Sequence, residues 1–443
     1  MSPIARRLLA LTAIVAVGAG ACSGGKATPT PTRTVAPTPA PVTASPPPNA
    51  VNVEWWTSAT TDPGKSVWQA AASLYMDEHP WVSITIEPMS AETLEARLAS
   101  AQSTGLTPDL FESAGGAQFI SQAKAGVLED ITSQVAAWTD PSPQEIAGMN
   151  VFSYQGQQYG VPWAMGMAGF FYNQALFTKA GIANTPTSWS ELLADVDKLK
   201  AASIVPFAIA GKDEWPGMNL WTYLLLREAG SSALTDMILN GSWDSEGCVR
   251  AGTDLAALVA KNPFQPGYMS AVYDRDEAAW MGNGKAAMEL MGEWGPAVEA
   301  SSSASGTGIG SDVGWFPFPA VAGGAGEATD GLGSATGIAV GKNAPPEALD
   351  FLHFLTSTRV MDQIGHAGMG FPTAFGSVDS IDDQTLHLIV SARNQSRSMQ
   401  LYLDRVTSPA LSQTIEDNTA ALLGGRATPQ QICQAIAAAA KSN

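Results

Sequence analysis

The sequence predicts an α/β fold, and three observations lead there. From Val51 onward, short runs with apolar residues at every second position alternate with longer runs at helical spacing, the order of a sheet whose parallel strands are joined by helices. Apolar residues make up 45% of the chain and charged residues only 14%, which suits packed cores rather than a solvated coil. Of the 443 residues, enough remain after an N-terminal stretch that cannot fold to build two lobes with separate cores.

The N-terminal stretch has two parts. In residues 1–21, Arg6 and Arg7 precede an apolar run from Leu8 to Val17, broken only by Thr12, and then the small residues Ala19-Gly20-Ala21. That order of charge, apolar core and small residues is an export signal, too short for a comfortable membrane span. With Cys22 directly after it, the leader resembles a bacterial lipoprotein signal, in which the cysteine thiol is lipidated and becomes the new N-terminus; Ala19 stands where a leucine is usual. The alternative is an ordinary secretory signal with an incidental cysteine. Residues 22–50 are rich in Pro and Thr with no large apolar residue beyond two valines, so they form an extended, semi-rigid tether.

The folded part begins with Val51 to Trp56, which alternates like a strand, and a helix over Gly64 to Glu78 with Trp68, Ala71, Ala72 and Tyr75 on one face. A second strand runs from Val82 to Glu87, a helix from Ala91 to Gln102, and a short strand from Asp109 to Phe111, ending at Glu112. Ser188 and Glu191 form a capping box for a helix carrying Trp189, Leu192, Leu193, Val196 and Leu199. Val205 to Ala210 reads as a strand. A Gly- and Ser-rich stretch from Ser301 to Gly341 then breaks the pattern, apart from a short run from Val313 to Phe318. The rest is helical: Pro345 to Thr356, Thr385 to Arg397, Pro409 to Leu423, and Pro429 to Lys441, the last capped by Thr428 with Gln431.

Composition narrows the function. Lys and Arg total 23 against 41 Asp and Glu, a formal charge of −18 that repels phosphate backbones, so no nucleic-acid partner is expected. The four histidines, at 79, 353, 366 and 387, have no metal-ligand spacing, and no P-loop, G-x-S-x-G elbow or complete G-x-G-x-x-G occurs. No metal, cofactor or catalytic residue is therefore expected. Beyond Cys22 only Cys248 and Cys433 remain; in an oxidising compartment they form either a disulfide or two separate buried thiols.

Several segments place an aromatic beside hydrogen-bonding groups at a strand end or in a loop: Trp56-Thr57-Ser58, Phe111-Glu112-Ser113, Pro162-Trp163, Asp213-Glu214-Trp215 and Glu293-Trp294. Ligands of open α/β folds sit at the carboxyl ends of strands. Sugars suit such a lining, because their C–H faces pack on indoles and their hydroxyls donate to carboxylates. For any one tryptophan, core packing is the competing reading.

At this point the order of motifs resembles a known family. Tyr154-Gln-Gly-Gln-Gln-Tyr159-Gly-Val-Pro162, Gly169-Phe-Phe-Tyr172-Asn173 leading to Phe177 and Gly181, Pro186-Thr-Ser-Trp189-Ser-Glu191, and Gly284-Lys-Ala-Ala-Met288 followed by Gly292-Glu-Trp294 are similar to elements of the family 1 extracellular solute-binding proteins, the sugar-binding components of ABC importers. Asp109-Leu-Phe111 with Ala125-Gly126 to Asp130-Ile131 resembles another of their elements.

The resemblance implies a two-lobed periplasmic-binding-protein-like fold of type II, maltose-binding-protein-like, with three hinge crossovers, near Val161–Pro162, Phe316–Pro319 and Gly368–Pro372. The N-terminal lobe would comprise residues 51–161 and 318–369, the C-terminal lobe residues 162–317 and 370–443. It implies a ligand site from Ser58, Glu112, Trp163, Asp213, Trp215, Trp294 and Asp330, with Tyr172 and Asn173 structural and Trp56 either buried or at the site. The expected function is a lipid-anchored, monomeric receptor on the outer face of the bacterial cytoplasmic membrane. It would bind a neutral carbohydrate, an oligosaccharide by preference, and deliver it to permease subunits of an ABC importer. An exported glycoside hydrolase or a wall-polysaccharide-binding surface protein is the alternative.

Overall fold

The computed structural model describes residues 50–441; the leader, Cys22 and the tether up to residue 49 lie outside them. The chain opens with β1 (Val51–Thr57), α1 (Gly64–Glu78), β2 (Val82–Pro88), α2 (Ala91–Thr104) and β3 (Leu110–Ser113). On α1 the apolar face read from spacing, Trp68, Ala71, Ala72 and Tyr75, is the buried one. Then come α3 (Gly116–Lys124), α4 (Thr132–Val135), a small hairpin of β4 (Ser153–Tyr154) and β5 (Gln157–Gln158), and β6 (Gly160–Met165). Next are β7 (Gly169–Asn173), α5 (Gln174–Lys179), α6 (Trp189–Ala201) and β8 (Val205–Phe207). Asn173 caps α5 by accepting from the Leu176 N–H, and Ser188 with Glu191 forms the capping box of α6.

Three helices that the sequence pattern does not announce follow: α7 (Trp215–Ala229), α8 (Ser231–Asn240) and α9 (Glu246–Ala260). Helix α7 is buried all round from Pro216 to Glu228, so it has no polar stripe to reveal its period. The chain continues with α10 (Ala278–Gly282), β9 (Ala286–Met291), α11 (Gly295–Ser302), β10 (Val313–Phe316), β11 (Gly331–Gly333) and β12 (Ala335–Val340). It closes with α12 (Pro346–Leu355), α13 (Thr358–His366), α14 (Gln384–Asn394), β13 (Met399–Leu401), α15 (Leu403–Val406), α16 (Pro409–Leu423) and α17 (Pro429–Ala440).

Two main sheets organise these elements, the two-lobed arrangement. The first has strand order β2-β1-β3-β12-β6; β1 pairs in parallel with β2 and β3, while β12 runs antiparallel to both its neighbours. Its core holds Val53, Trp55, Trp68, Tyr75, Leu110, Ile338 and Phe351. The second sheet has order β10-β7-β9-β8, with a core of Phe170, Trp189, Trp221, Leu224, Phe316, Phe318 and Ile436. Cys248 on α9 and Cys433 on α17 form a disulfide within that core, with Cα atoms 6.1 Å apart. A third cluster, containing Phe111, Phe152, Met165, Phe171, Met291 and Trp315, joins residues of both sheets.

Strand pairing moves the crossovers later than the family motifs imply. β6 remains in the first sheet through Met165, paired with Ala335, so the chain leaves that sheet after Met165 rather than Val161. Residues 318–332 belong with the second core: Phe318 and Leu332 are buried in it, and β11 pairs with β13. The chain rejoins the first sheet only at Ala335. It stays there past Met369, since Pro372 bridges to Ala164 and Ala374 to Ile146. The glycine-rich stretch that breaks the sequence pattern thus supplies a central strand.

Candidate functional site

Three adjoining cavities open where β1 and β3 end. One of about 320 Å³ is lined by Ser58, Glu112, Trp163, Met369 and the loop 61–64. A second, of about 330 Å³, is lined by Trp163, Met369, Glu293, Trp294 and Ser334. The third, of about 120 Å³, lies between Ser58, Glu112, Glu95 and Leu98. Thr336 on β12 lines all three. Four of the residues expected from sequence, Ser58, Glu112, Trp163 and Trp294, therefore share one cleft. Glu293 and Trp294 reach it from the end of β9 in the second sheet.

Glu112 is held by its neighbours. Its Oε2 accepts from Thr57 Oγ1 at 2.8 Å and from the Ser58 N–H at 3.1 Å, and its Oε1 accepts from Ser58 Oγ at 2.5 Å. These bonds fill most of the carboxylate's acceptor positions and fix the loop after β1. The Ser58 hydroxyl, whose hydrogen is directed to Glu112, keeps its own lone pairs free of that bond. Trp163 stands on β6 in the first sheet, where the family resemblance had assigned it to the second lobe. It is 7% exposed, with its ring edge-on to Trp68 at 5.1 Å and perpendicular to it. Trp68 meets Trp55 in the same manner at 5.2 Å, so a stack of indoles backs the cleft wall. Trp56 is buried, its indole N–H donating to Glu54 and its face covered by Arg97.

Trp294 is fixed by Gly292. A Cβ at residue 292 would lie 2.2 Å from the indole, so the ring can fold back over the backbone only because that residue is glycine. The other side of the indole meets Tyr402 edge-on, centroids 6.0 Å apart. Tyr273 then joins the second-lobe candidates. It packs with Trp294 in one cluster, its ring meets Trp215 at 5.2 Å, and its N–H donates to Asp213 Oδ2 at 2.7 Å. Asp213 and Trp215 thus stand beside the Trp294 wall but line none of the three cavities. Between them Glu214 adopts φ 64°, a left-handed conformation unusual for glutamate, which turns the chain sharply into α7.

Asp330 lies elsewhere and also lines none of the three cavities. It is 3% exposed and belongs to a loop stapled by buried Arg227. Arg227 donates through Nε to the Pro319 carbonyl, through Nη1 to that of Asp330, and through Nη2 to those of Phe318 and Ala328. Burial pushes the Asp330 carboxyl above the ordinary aspartate range. The loop's visible role is to carry the chain from the second sheet toward β12.

Glu293, named in the sequence beside Trp294 but not carried into the expected site, lines the cleft together with Thr336 and Met369, which the sequence did not single out. Glu293 stood next to Trp294 in a quoted motif; its significance comes from Gly166 and Ser334, remote in sequence. Thr336 lay inside the stretch read as patternless. Among the described residues no group of three or more His, Cys, Asp or Glu side chains is placed to hold a metal ion. Among them, too, no helix is long and apolar enough to cross a membrane.

Comparison with known proteins agrees with this architecture. An ABC transporter extracellular-binding protein of Pyrococcus horikoshii is 26% identical over 327 residues, 71% of this chain and 68% of its own. The multiple sugar-binding protein of Streptococcus mutans is 24% identical over 289 residues, covering 64% of this chain and 65% of its own. Among solved structures, the bacterial solute receptor AcbH, reported to prefer β-D-galactopyranose exclusively, superposes with a TM-score of 0.77 at 18% identity, over 89% of this chain and 99% of that one. The family model described as bacterial extracellular solute-binding protein matches residues 58–362, and the chain belongs to that family.

Proposed function

We propose that this protein captures a carbohydrate outside the cytoplasmic membrane and hands it to the permease of an ABC importer. The observation that carries the reading is the shared cleft: indoles from both sheets, Trp163 and Trp294, meet there with the Ser58 hydroxyl and the carboxylates of Glu112 and Glu293. Flat apolar faces beside polar acceptors match the two kinds of surface on a sugar ring. The family and the names of the relatives support the same reading. Ligand bridging the two sheets would stabilise the closed arrangement through contacts that the open one lacks. The role is binding, with no covalent step assigned to any residue. Thermal-shift screening against mono- and oligosaccharides is expected to give a ligand-dependent rise in melting temperature. The same ligand should lower the radius of gyration in solution scattering. A panel with no stabilising sugar would overturn the reading.

The leader and Cys22 support attachment by lipid to the outer face of the membrane, with the tether holding the folded part away from it. Cys22→Ala is expected to move the protein from the membrane to the soluble fraction; unchanged fractionation would remove the anchor.

A further inference from the structure

The cleft holds a carboxylate that the protein partners only weakly. Glu293 follows the end of β9, and its carboxyl group rests directly on the backbone of Gly166, where a Cβ would lie 2.0 Å from Oε2 and 2.2 Å from Oε1. Oε1 receives only a long bond of 3.4 Å from the Ser334 hydroxyl. Oε2 is buried with no hydrogen-bond partner. Burial pushes this carboxyl above the ordinary glutamate range, opposed by its own backbone N–H, by the Ser334 hydroxyl and by the charge of Arg393.

Arg393 does not neutralise it by contact. Its guanidinium donates to the carbonyls of Met165, Phe371 and Pro372 and to Asn394 Oδ1, which occupies its nitrogens. Among the described residues no lysine, arginine or histidine stands at ion-pair distance from Glu293. The neighbouring walls add Glu112, Asp62 and Glu95, and no basic side chain lines any of the three cavities. Hydroxyl groups could donate to Glu293 but would leave its charge offset only by Arg393, which makes no contact with it. An ammonium group would compensate it, and Trp163 and Trp294 line the same cavity, indoles being the aromatic rings that best attract a cation.

We infer that the ligand is an amine-bearing carbohydrate whose ammonium group sits against the Glu293 carboxyl group, in the cavity lined by Trp163 and Trp294. The inference rests on the carbohydrate reading above and replaces the uncharged sugar expected from sequence with a cationic one. Glu293 acts as the specificity residue, and Gly166 makes room for it.

The test is calorimetry on the whole protein at neutral pH with three series of equal chain length: β-1,4-linked glucosamine oligomers, their N-acetylated counterparts, and cello-oligosaccharides. The amine series is expected to bind tighter than both neutral series by on the order of ten-fold or more. Glu293→Gln, which keeps shape and removes charge, should bring the ratio between amine and neutral series toward one. Equal or tighter binding of the neutral series to the unmodified protein overturns the inference and leaves the carbohydrate reading standing. So does a Glu293→Gln variant that preserves the ratio. If no series binds, the carbohydrate reading falls and the amine with it.

Discussion

Gly166 occupies a position where any side chain would collide with a carboxylate. Because a Cβ there would meet three atoms of the Glu293 carboxyl within 2.2 Å, Gly166→Ala must displace that group from its buried seat. Overpacking of this kind costs about 1–3 kcal/mol when nothing yields. Here the carboxylate can yield, so the expected outcome is a fold that still melts cooperatively but binds ligand on the order of ten-fold more weakly by calorimetry. Affinity equal to the parent's would mean that Glu293 does not contact ligand from this position. Glu112 shows the other side of residue-scale logic. A carboxylate at the end of a strand was legible as a candidate site feature, but its three bonds to Thr57 and Ser58 were not, and they make it a brace for the loop after β1. The sequence displays residue types at strand ends; it does not display which lone pairs the fold has already filled.

At the scale of elements, β9, α11 and the segment before α10 contribute buried carboxyls with a pH signature. Glu289 on β9, Glu299 on α11 and Glu277 just before α10 are each no more than 1% exposed. Burial raises the Glu289 and Glu277 carboxyls well above the ordinary range, each pushed further by Glu299, and burial raises Glu299 as well. The charges of Glu299 and Glu277 add to the burial of Glu289, so protons are retained among the three carboxyls. Tyr273 faces the same group, its hydroxyl kept neutral by burial and by these carboxyls, and Asp213 adds charge near Glu277.

The sign follows from comparing folded and unfolded chains. Below the pH at which a free glutamate ionises, near 4.5, both states hold the protons and nothing is lost. Above it the unfolded chain releases protons that the folded lobe keeps, so stability falls by about 1.4 kcal/mol per pH unit for each retained proton, until the folded group ionises too. Glu289→Gln removes one such group while keeping a hydrogen-bonding end. Its melting temperature is expected to exceed the parent's by more at pH 8 than at pH 5; a difference independent of pH would refute the assignment. Glu299 lies on α11, which begins directly after Trp294.

For the whole molecule, legibility follows how far apart in sequence the partners lie. α1, α6, α16 and α17 were readable because each carries its own apolar face, cap or proline start within its own residues. α7 was not, since a helix buried on every side has no period to display. β12 was hidden for a related reason: Ala-Thr-Gly-Ile-Ala-Val becomes a strand only by lying between β3 and β6, whose residues precede it by more than a hundred positions. The crossovers were displaced because motif positions mark where the chain turns, whereas pairing decides which sheet keeps each residue. The site divides in the same way. Ser58, Glu112, Trp163 and Trp294 stood at strand ends or in motifs, while Glu293 acquires its meaning only from Gly166 and Ser334 across the cleft.

The placement of β12 also governs how this chain can be made and cut. No uninterrupted fragment that stops ahead of Ala335 contains the strand that joins β3 to β6 in the first sheet. Until that stretch has been synthesised, β3 and β6 each carry a bare border of amide and carbonyl groups, the kind of surface on which separate molecules stick together. Neither half can be freed by a single break in the gene, because each is threaded through the other.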